Sequence, residues 1–161
     1  GDAMSSKYAS GTTVSVYASM EEIQRLLRAR GCNEFGSMTT GNTAAVVFRY
    51  DCIPYRMQLN LPDPTDEAFT LTPSRKWARS DKEANEAYEA EVRRRWRAML
   101  LVLKAKLVAV DEGVVTFEDE FLAYAVLGDG HTVGEHAAPM LAQAKQSGML
   151  PLRLALPGGS E

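Results

Sequence analysis

Apolar residues recur at two different spacings along this chain, and each change of spacing marks a new element. Two valines alternate with polar residues over 12–18, which predicts a short strand. Ser19 then predicts the N-cap of a helix, because Glu22 three residues later completes a capping box. Gly31 predicts the end of this helix. Its apolar face is Met20, Ile23, Leu26, Leu27 and Ala29.

Three segments with a two-residue period follow and predict an antiparallel sheet. They are 33–39, 43–50 and 53–61. Apolar and polar residues alternate in the last of them, so one face of the sheet is expected to be buried and the other wet. Arg49 and Arg56 fall on the wet face. Pro54 indicates that the last strand either lies at an edge or starts irregularly there, because proline has no amide hydrogen for a central ladder.

The second half of the chain is predicted to be helical. A polar loop over 62–80, with three prolines, is expected to be irregular and mobile. Ser80 and Glu83 form another capping box and begin a long helix that should end at about Asp111. Shorter helices are predicted over 117–126 and 135–146, with residues 131–133 pairing back in a small hairpin; the tail is either a docked strand or disordered.

These elements predict a single α+β domain over 4–161. An antiparallel three- to four-stranded sheet should pack on a short and a long helix, followed by a helical C-terminal part. The domain divides into a strand-helix-sheet part (12–61), the loop (62–80) and a helical part (81–147). A length of 161 residues suffices for one core and is short for two.

Composition narrows the class of protein without naming a function. Hydrophobic residues make up 45% and charged residues 24%, as in soluble globular proteins. Apolar runs such as 98–103 are too short to cross a bilayer, so we expect no membrane partner and a cytoplasmic location. Residues 1–3, before Met4, resemble a cloning scar. Cys32 and Cys52 fit no metal motif and favour a reduced setting, although a bridge between them stays open.

Basic charge is concentrated in the segment 91–107, although the net charge of the chain is −3. This segment has six basic residues and one acid. On a helical wheel Trp96 lies at the centre of an apolar stripe, which indicates a core anchor rather than a base-stacking platform. Arg93, Arg97 and Lys104 share one flank. They are interpreted either as solvated residues paired to nearby acids or as an anion-binding surface.

Two other groups of residues extend this candidate surface. Three cations surround Trp77 just before the long helix, a combination that suits both nucleic-acid recognition and protein interfaces. The two arginines on the wet face of the sheet form the other group. The candidate nucleic-acid-binding or partner-binding residues are Arg93, Arg97, Lys104, Arg75, Lys76, Arg79, Trp77, Arg49 and Arg56.

The later half of the long helix is apolar nearly all round. Leu101, Val102 and Val108 lie on the side opposite Trp96. A helix of this kind is expected to be buried between two layers or against a second chain. This predicts either a homodimer or a tightly wrapped C-terminal subdomain.

Two groups of metal-type side chains are interpreted as structural. The spacing of His131, Glu135 and His136 is one residue longer than the inverted zincin motif, and Thr132 predicts an N-cap for Glu135. The acids at 118–120 suit Mg²⁺, but a helix dipole also favours acids in a first turn. We therefore expect no catalytic residue, no metal and no cofactor.

The segment "RRWRAMLLVLKAKLVAVDEG", followed by "TFEDEFLAYAVLGDGHTVGE", resembles an uncharacterised family of small proteins from tailed bacteriophages and prophages of actinobacterial hosts. The resemblance covers about the second half of the chain. It implies a phage protein in the host cytoplasm, from an early or DNA-metabolism region, and brings no activity with it. The matching residues are Trp96, Arg97, Lys104, Lys106, 116–118, 120–123, Asp129, Gly130 and 132–135.

Three hypotheses for function follow. The first is a non-enzymatic nucleic-acid-binding accessory protein of phage DNA metabolism, which binds single- or double-stranded DNA through the basic residues. The second is an inhibitor or adaptor that binds a host or defence protein through the same arginines, Trp77 and the loop. The third, ranked last, is a metal-dependent nuclease that uses Glu118 and Glu120.

Overall fold

A computed structural model describes residues 14–148, and it has the expected α+β architecture. A three-stranded antiparallel sheet packs on a short and a long helix, and a helical C-terminal part follows. The elements are α1 (Val16–Arg28), β1 (Asn33–Thr40), β2 (Thr43–Tyr50), β3 (Ile53–Asn60), α2 (Glu67–Thr70), α3 (Asp81–Asp111), α4 (Phe117–Glu120), a 3₁₀ turn (Leu122–Tyr124) and α5 (Val133–Ser147).

The first helix begins earlier than its capping box predicted. Ser15 is the N-cap, and its hydroxyl accepts a hydrogen bond from the Ala18 amide at 3.1 Å. The predicted strand is therefore wrong over 14–18, while 12–13 lie outside the described residues. Ser19 is buried inside the helix. Both serines offer a capping oxygen, and with the earlier one as N-cap the added turn packs Val16 against the core and buries Ser19.

The sheet follows the order β1-β2-β3, and the predicted strands are correct to within one residue at each end. Val46 and Phe48 of β2 pair with Met57 and Tyr55 of β3, and all four side chains are buried on the face that meets the helices. Pro54 lies in an edge strand, as predicted.

The long helix supplies the centre of the core. Its capping box is present, since the Ser80 hydroxyl accepts from the Glu83 amide at 3.3 Å. Trp96 is 2% exposed, which confirms it as a core anchor. Other buried residues of the stripe are Leu100, Leu103 and Leu107.

The opposite side of α3 is less covered than expected. Val102 and Val108 are 48% and 56% exposed. Within 14–148, the C-terminal part therefore does not wrap this side of the helix, because α4 and α5 pack on the 3₁₀ turn, which in turn contacts β3. No helix in this part of the chain is both long and apolar enough to span a membrane.

The loop over 62–80 is more regular than predicted. It contains α2, whose Phe69 is buried and meets the ring of Tyr88 edge-on at 5.6 Å between centroids. Leu71 and Ala78 then pair in a β-bridge. The prolines therefore separate short ordered pieces rather than leaving a single irregular stretch.

The C-terminal helices differ from the prediction in length. The helix expected over 117–126 ends at Glu120 and is followed by the 3₁₀ turn, while the last helix begins at Val133. The predicted return of 131–133 is present as a bridge between Val126 and Thr132. The tail beyond 148 lies outside the described residues.

Candidate functional site

The basic flank of α3 is occupied by an acid from α1. Lys104 Nζ lies 2.6 Å from one carboxylate oxygen of Glu22, and Arg97 Nη1 lies 3.3 Å from the other. The hydrogen bond from the Lys104 ammonium is the main reason why the pKa of Glu22 is lowered. Two of the three predicted flank cations thus neutralise an acid of their own chain.

Arg93, the third member of the flank, is differently placed. It borders a cleft between α3 and the start of α1, with Tyr88, Val92 and Trp96 on the α3 side. Its Nε atom is buried without a hydrogen-bond partner, and the side chain has no ion pair within residues 14–148. The structure therefore does not bring the predicted flank together as three free cations.

The other cations of this segment are also paired. Arg94 and Arg95 both pair with Glu91. Arg95 also donates to the Asn60 carbonyl at 2.6 Å, which ties α3 to the end of β3. Lys106 Nζ lies 3.0 Å from a carboxylate oxygen of Glu120. The high basic charge of 91–107 is thus largely balanced within the fold.

The sheet arginines hold parts of the domain together. Arg56 Nη2 donates to both carboxylate oxygens of Glu135 at 3.0 Å, and Arg56 Nη1 donates to the Gly130 carbonyl. The Thr132 amide is the largest cause of the lowered pKa of Glu135. Arg49 pairs with Glu34 at 2.7 Å. These arginines stabilise the sheet and its junction with α5.

The side chain that remains most prominent is Trp77. It projects from a short hairpin over 71–78, which we call the Trp77 hairpin, and it is 72% exposed. The Thr72 amide donates to the Trp77 carbonyl at 2.8 Å and closes the hairpin. Arg75 and Lys76 are exposed at its tip, with no ion pair in the described part of the chain. The hairpin thus presents an indole and two cations to solvent.

The base of the Trp77 hairpin is fixed to the domain. The Arg79 amide donates to the Thr70 carbonyl at 2.8 Å, and its guanidinium donates to the Phe69 carbonyl at 3.2 Å. Arg79 therefore points inward, unlike the tip cations with which it was predicted to act. Since Phe69 is itself packed on Tyr88, Trp77 is displayed on an ordered support.

The chain around the Trp77 hairpin is acidic. The segment 62–91 has eight acidic and four basic residues. Two of the acids, Glu83 and Glu91, are used in the capping box and in ion pairs of α3. The tip cations are therefore a local exception on a negative part of the molecule.

The metal-type residues serve structural roles. Thr132 and Glu135 form the predicted capping box, and Glu135 also lies 3.3 Å from His131 Nδ1. His136 Nε2 lies 2.7 Å from Asp129. Across residues 14–148 no group of three or more histidine, cysteine or acidic side chains is arranged to hold a metal ion.

Both cysteines are free thiols. Cys32 is buried, and burial raises its pKa to about 11. Cys52 is exposed at the turn between β2 and β3. Cys32 therefore lacks the lowered pKa that marks a nucleophilic thiol.

No protein-family model, curated protein or solved structure matches this chain, so function is inferred from its own side chains. Sequence patterns found Trp77 but not the acids that neutralise the arginines. Glu22 was interpreted as half of a capping box, and Glu135 as the start of a helix. The sequence did contain one signal for these ion pairs. Both acids lie on amphipathic or capped helices next to a basic strand or helix, in positions where their carboxylates point outward.

Proposed function

We propose that this chain is a non-enzymatic protein-binding adaptor or inhibitor whose contact surface is centred on the Trp77 hairpin. The observation that supports this proposal is a large, mostly exposed indole on an ordered hairpin. Tryptophan and arginine are enriched among the residues that dominate protein interfaces. An exposed indole leaves a large apolar surface in contact with water. A partner that buries this surface would gain the favourable free energy of removing it from water.

A protein partner suits this surface better than a nucleic acid. Phosphate binding needs several free cations, and its affinity comes mainly from them. Arg97 and Lys104 are bound to Glu22, and the surroundings of Trp77 are acidic. Arg75 and Lys76 remain to pair with acids of a partner at the rim of the contact. DNA binding is retained as the competing proposal.

The nature of the partner comes from the resemblance alone. A phage protein in the host cytoplasm would act on a host or defence protein, and we include that setting in the proposal. Self-association through Val102 and Val108 is a separate proposal, because both side chains are half exposed on one side of α3. Sedimentation velocity of the wild type and the Val108→Glu variant tests self-association. We expect the wild type to form a dimer and the substitution to dissociate it.

Affinity capture from an actinobacterial lysate tests the Trp77 hairpin. Wild type, Trp77→Ala and the control Met140→Ala, which truncates a residue that is 69% exposed on α5, are immobilised at equal density. Mass spectrometry quantifies the proteins retained. Loss of a central tryptophan typically costs 2 kcal/mol or more, so Trp77→Ala should lose a specific partner about 30-fold, and Met140→Ala should retain it. Equal capture by all three proteins would contradict the proposal.

Fluorescence anisotropy distinguishes DNA binding from binding to a protein partner. Single- and double-stranded DNA are titrated at low and physiological salt with the wild type, Arg93→Glu/Arg97→Glu and Arg75→Glu/Lys76→Glu. No binding at low salt supports a protein partner. Salt-sensitive binding that either charge reversal abolishes would instead assign the chain to nucleic-acid binding.

A further inference from the structure

The outer edge of β1 presents unpaired backbone groups. β1 lies at one edge of the sheet and pairs only with β2. Thr40 and Thr43 close the two-residue turn, so hydrogen-bonded and non-hydrogen-bonded positions alternate back from them, and the amides and carbonyls of Ser37 and Thr39 point away from β2. Within 14–148 these outward groups have no hydrogen-bond partner.

A register irregularity between Asn33 and Gly36 interrupts the start of this edge, and from Gly36 onward the edge lacks the charges and prolines that usually protect an exposed strand. The segment 35–40, "FGSMTT", has no charged residue and no proline. The other edge of the sheet is protected, because β3 carries Pro54, whose carbonyl accepts from the Val126 amide at 2.8 Å. Arg95 covers the end of the same strand by donating to the Asn60 carbonyl. The two edges therefore differ, and among the residues that the structure describes only β1 has an edge available for an added strand.

A groove runs between this open edge and α1. Met20 and Ile23 of α1 and Phe35 of β1 supply apolar walls, and Tyr17 stands at the rim, 70% exposed. Ser37 also lines the groove. Its side chain is too small to fill the space between strand and helix, so an apolar side chain from another segment would be buried there.

Two arginines lie beside the end of the groove next to Phe35, while the acid Glu21 lines its α1 wall. The Arg28 guanidinium lies over the Phe35 ring at 5.5 Å. Arg25 lies one turn earlier on the same helix. Both arginines are exposed, and in the described part of the chain neither has an ion pair. They differ in this from Arg94, Arg95 and Arg97 of α3 and from the sheet arginines, which already have acidic partners.

We propose that this groove binds an extended peptide segment of a partner protein by strand addition to β1. The peptide backbone would pair with Ser37 and Thr39, an apolar side chain would lie over Ser37, and a carboxylate would meet Arg28. Known strand-addition domains combine the same elements: main-chain hydrogen bonds for affinity and a pocket for alternate side chains. A second copy fits less well, because Ser37 opposite Ser37 would leave the space unfilled.

The surface is formed by elements other than the Trp77 hairpin, so it stands independently of the function proposed above. Selection from a phage-displayed library of random eight-residue peptides on the full chain supplies the probe. Enriched peptides are then synthesised with a fluorophore and titrated by fluorescence polarisation. We expect them to alternate apolar and polar residues and to carry an acidic residue or a free carboxyl end.

Four variants identify the mode of binding. Ser37→Pro removes an outward amide and leaves the ladder to β2 intact, so it should weaken binding at least tenfold. Ser37→Ala keeps the amide and should bind as the wild type does. Arg28→Glu should weaken binding of the acidic peptides several-fold. Trp77→Ala should have no effect, which distinguishes this surface from the hairpin.

Three results would overturn the proposal. The first is that selection on the wild type enriches peptides no more than selection on the Ser37→Pro variant does. The second is unchanged binding to a folded Ser37→Pro, as judged by circular dichroism. If that variant fails to fold, Ser37→Leu, which fills the groove and keeps the amide, must lose binding instead. The third is a wild-type dimer in sedimentation velocity that Ser37→Pro dissociates, which would assign the edge to a second copy.

Discussion

Replacing Glu22 by glutamine removes the charge that two cations of α3 share. Arg97 and Lys104 lie 3.3 and 2.6 Å from the two oxygens of its carboxylate. Partly exposed ion pairs contribute about 0.2–1 kcal/mol each, so we expect Glu22→Gln to lower the free energy of unfolding by about 1 kcal/mol. Glu21→Gln removes the same charge from an exposed neighbour with no ion pair in 14–148, and it should change stability by less than about 0.5 kcal/mol.

Urea denaturation of the wild type and both variants measures this difference. The loss of stability caused by Glu22→Gln should be smaller in about 1 M salt, where the screening length is about 3 Å. It should also depend on pH. Because the pKa of Glu22 is lowered in the fold, its contribution is present above the unfolded value of about 4.3 and is lost as the pH falls through the folded value.

The same substitution tests whether the acid suppresses binding to DNA. Freeing Arg97 and Lys104 adds up to two phosphate contacts, so a plot of log affinity against log salt should steepen by up to about 1.8. Anisotropy with a duplex at several salt concentrations measures the slope. Two results would refute the reasoning: equal stability of the Glu22→Gln and Glu21→Gln variants, or equal slopes for the wild type and both variants where DNA binds.

Other expectations concern the core, the thiols and acid stability. Leu100→Ala should lower the free energy of unfolding by about 2–5 kcal/mol because the side chain is fully buried, whereas Val102→Ala should lower it by less than about 1 kcal/mol. Urea titrations compare the two variants. Equal losses of stability would contradict the assignment of Leu100 to the buried face of α3 and Val102 to the exposed face. Ellman's reagent should titrate Cys52 alone in the native protein and Cys32 only in urea, because burial raises the pKa of Cys32 to about 11. The pKa of Glu135 is lowered chiefly by a backbone amide, so the wild type should lose stability as the pH falls below about 4.3; Glu135→Gln should lose less, and parallel urea midpoints from pH 3 to 7 would argue against this.

Elements with a local signal were predictable from the sequence. Alternation defined β2 and β3, and the capping box at Ser80 located the start of α3. The start of α1 was not predictable in this way. Two serines four residues apart both offer a capping oxygen, and only tertiary packing chooses between them.

The candidate site was predictable only in part, because its ion pairs are non-local. Arg97 and Glu22 are 75 residues apart, and Arg56 and Glu135 are 79 apart. Spacing along a helix predicts partners three or four residues away, and of the acids expected to serve α3 only Glu91 pairs with its arginines. The exposure of Trp77 was likewise beyond periodicity, because a hairpin of eight residues contains no repeat that distinguishes inward from outward.

Counting cations along a sequence therefore overstates the charge that a folded chain can offer to a partner. The segment 91–107 has the highest concentration of basic charge, which suggested DNA binding, yet acids of α1, α3 and α4 neutralise five of its six cations. Groups that folding leaves unpaired or exposed are better indicators of binding. A partner adds favourable free energy only at groups that are not already paired or buried within the fold. In the described residues these groups include the indole of Trp77, the open edge of β1 and the exposed Arg28. All three suit a protein or peptide partner better than a phosphate backbone.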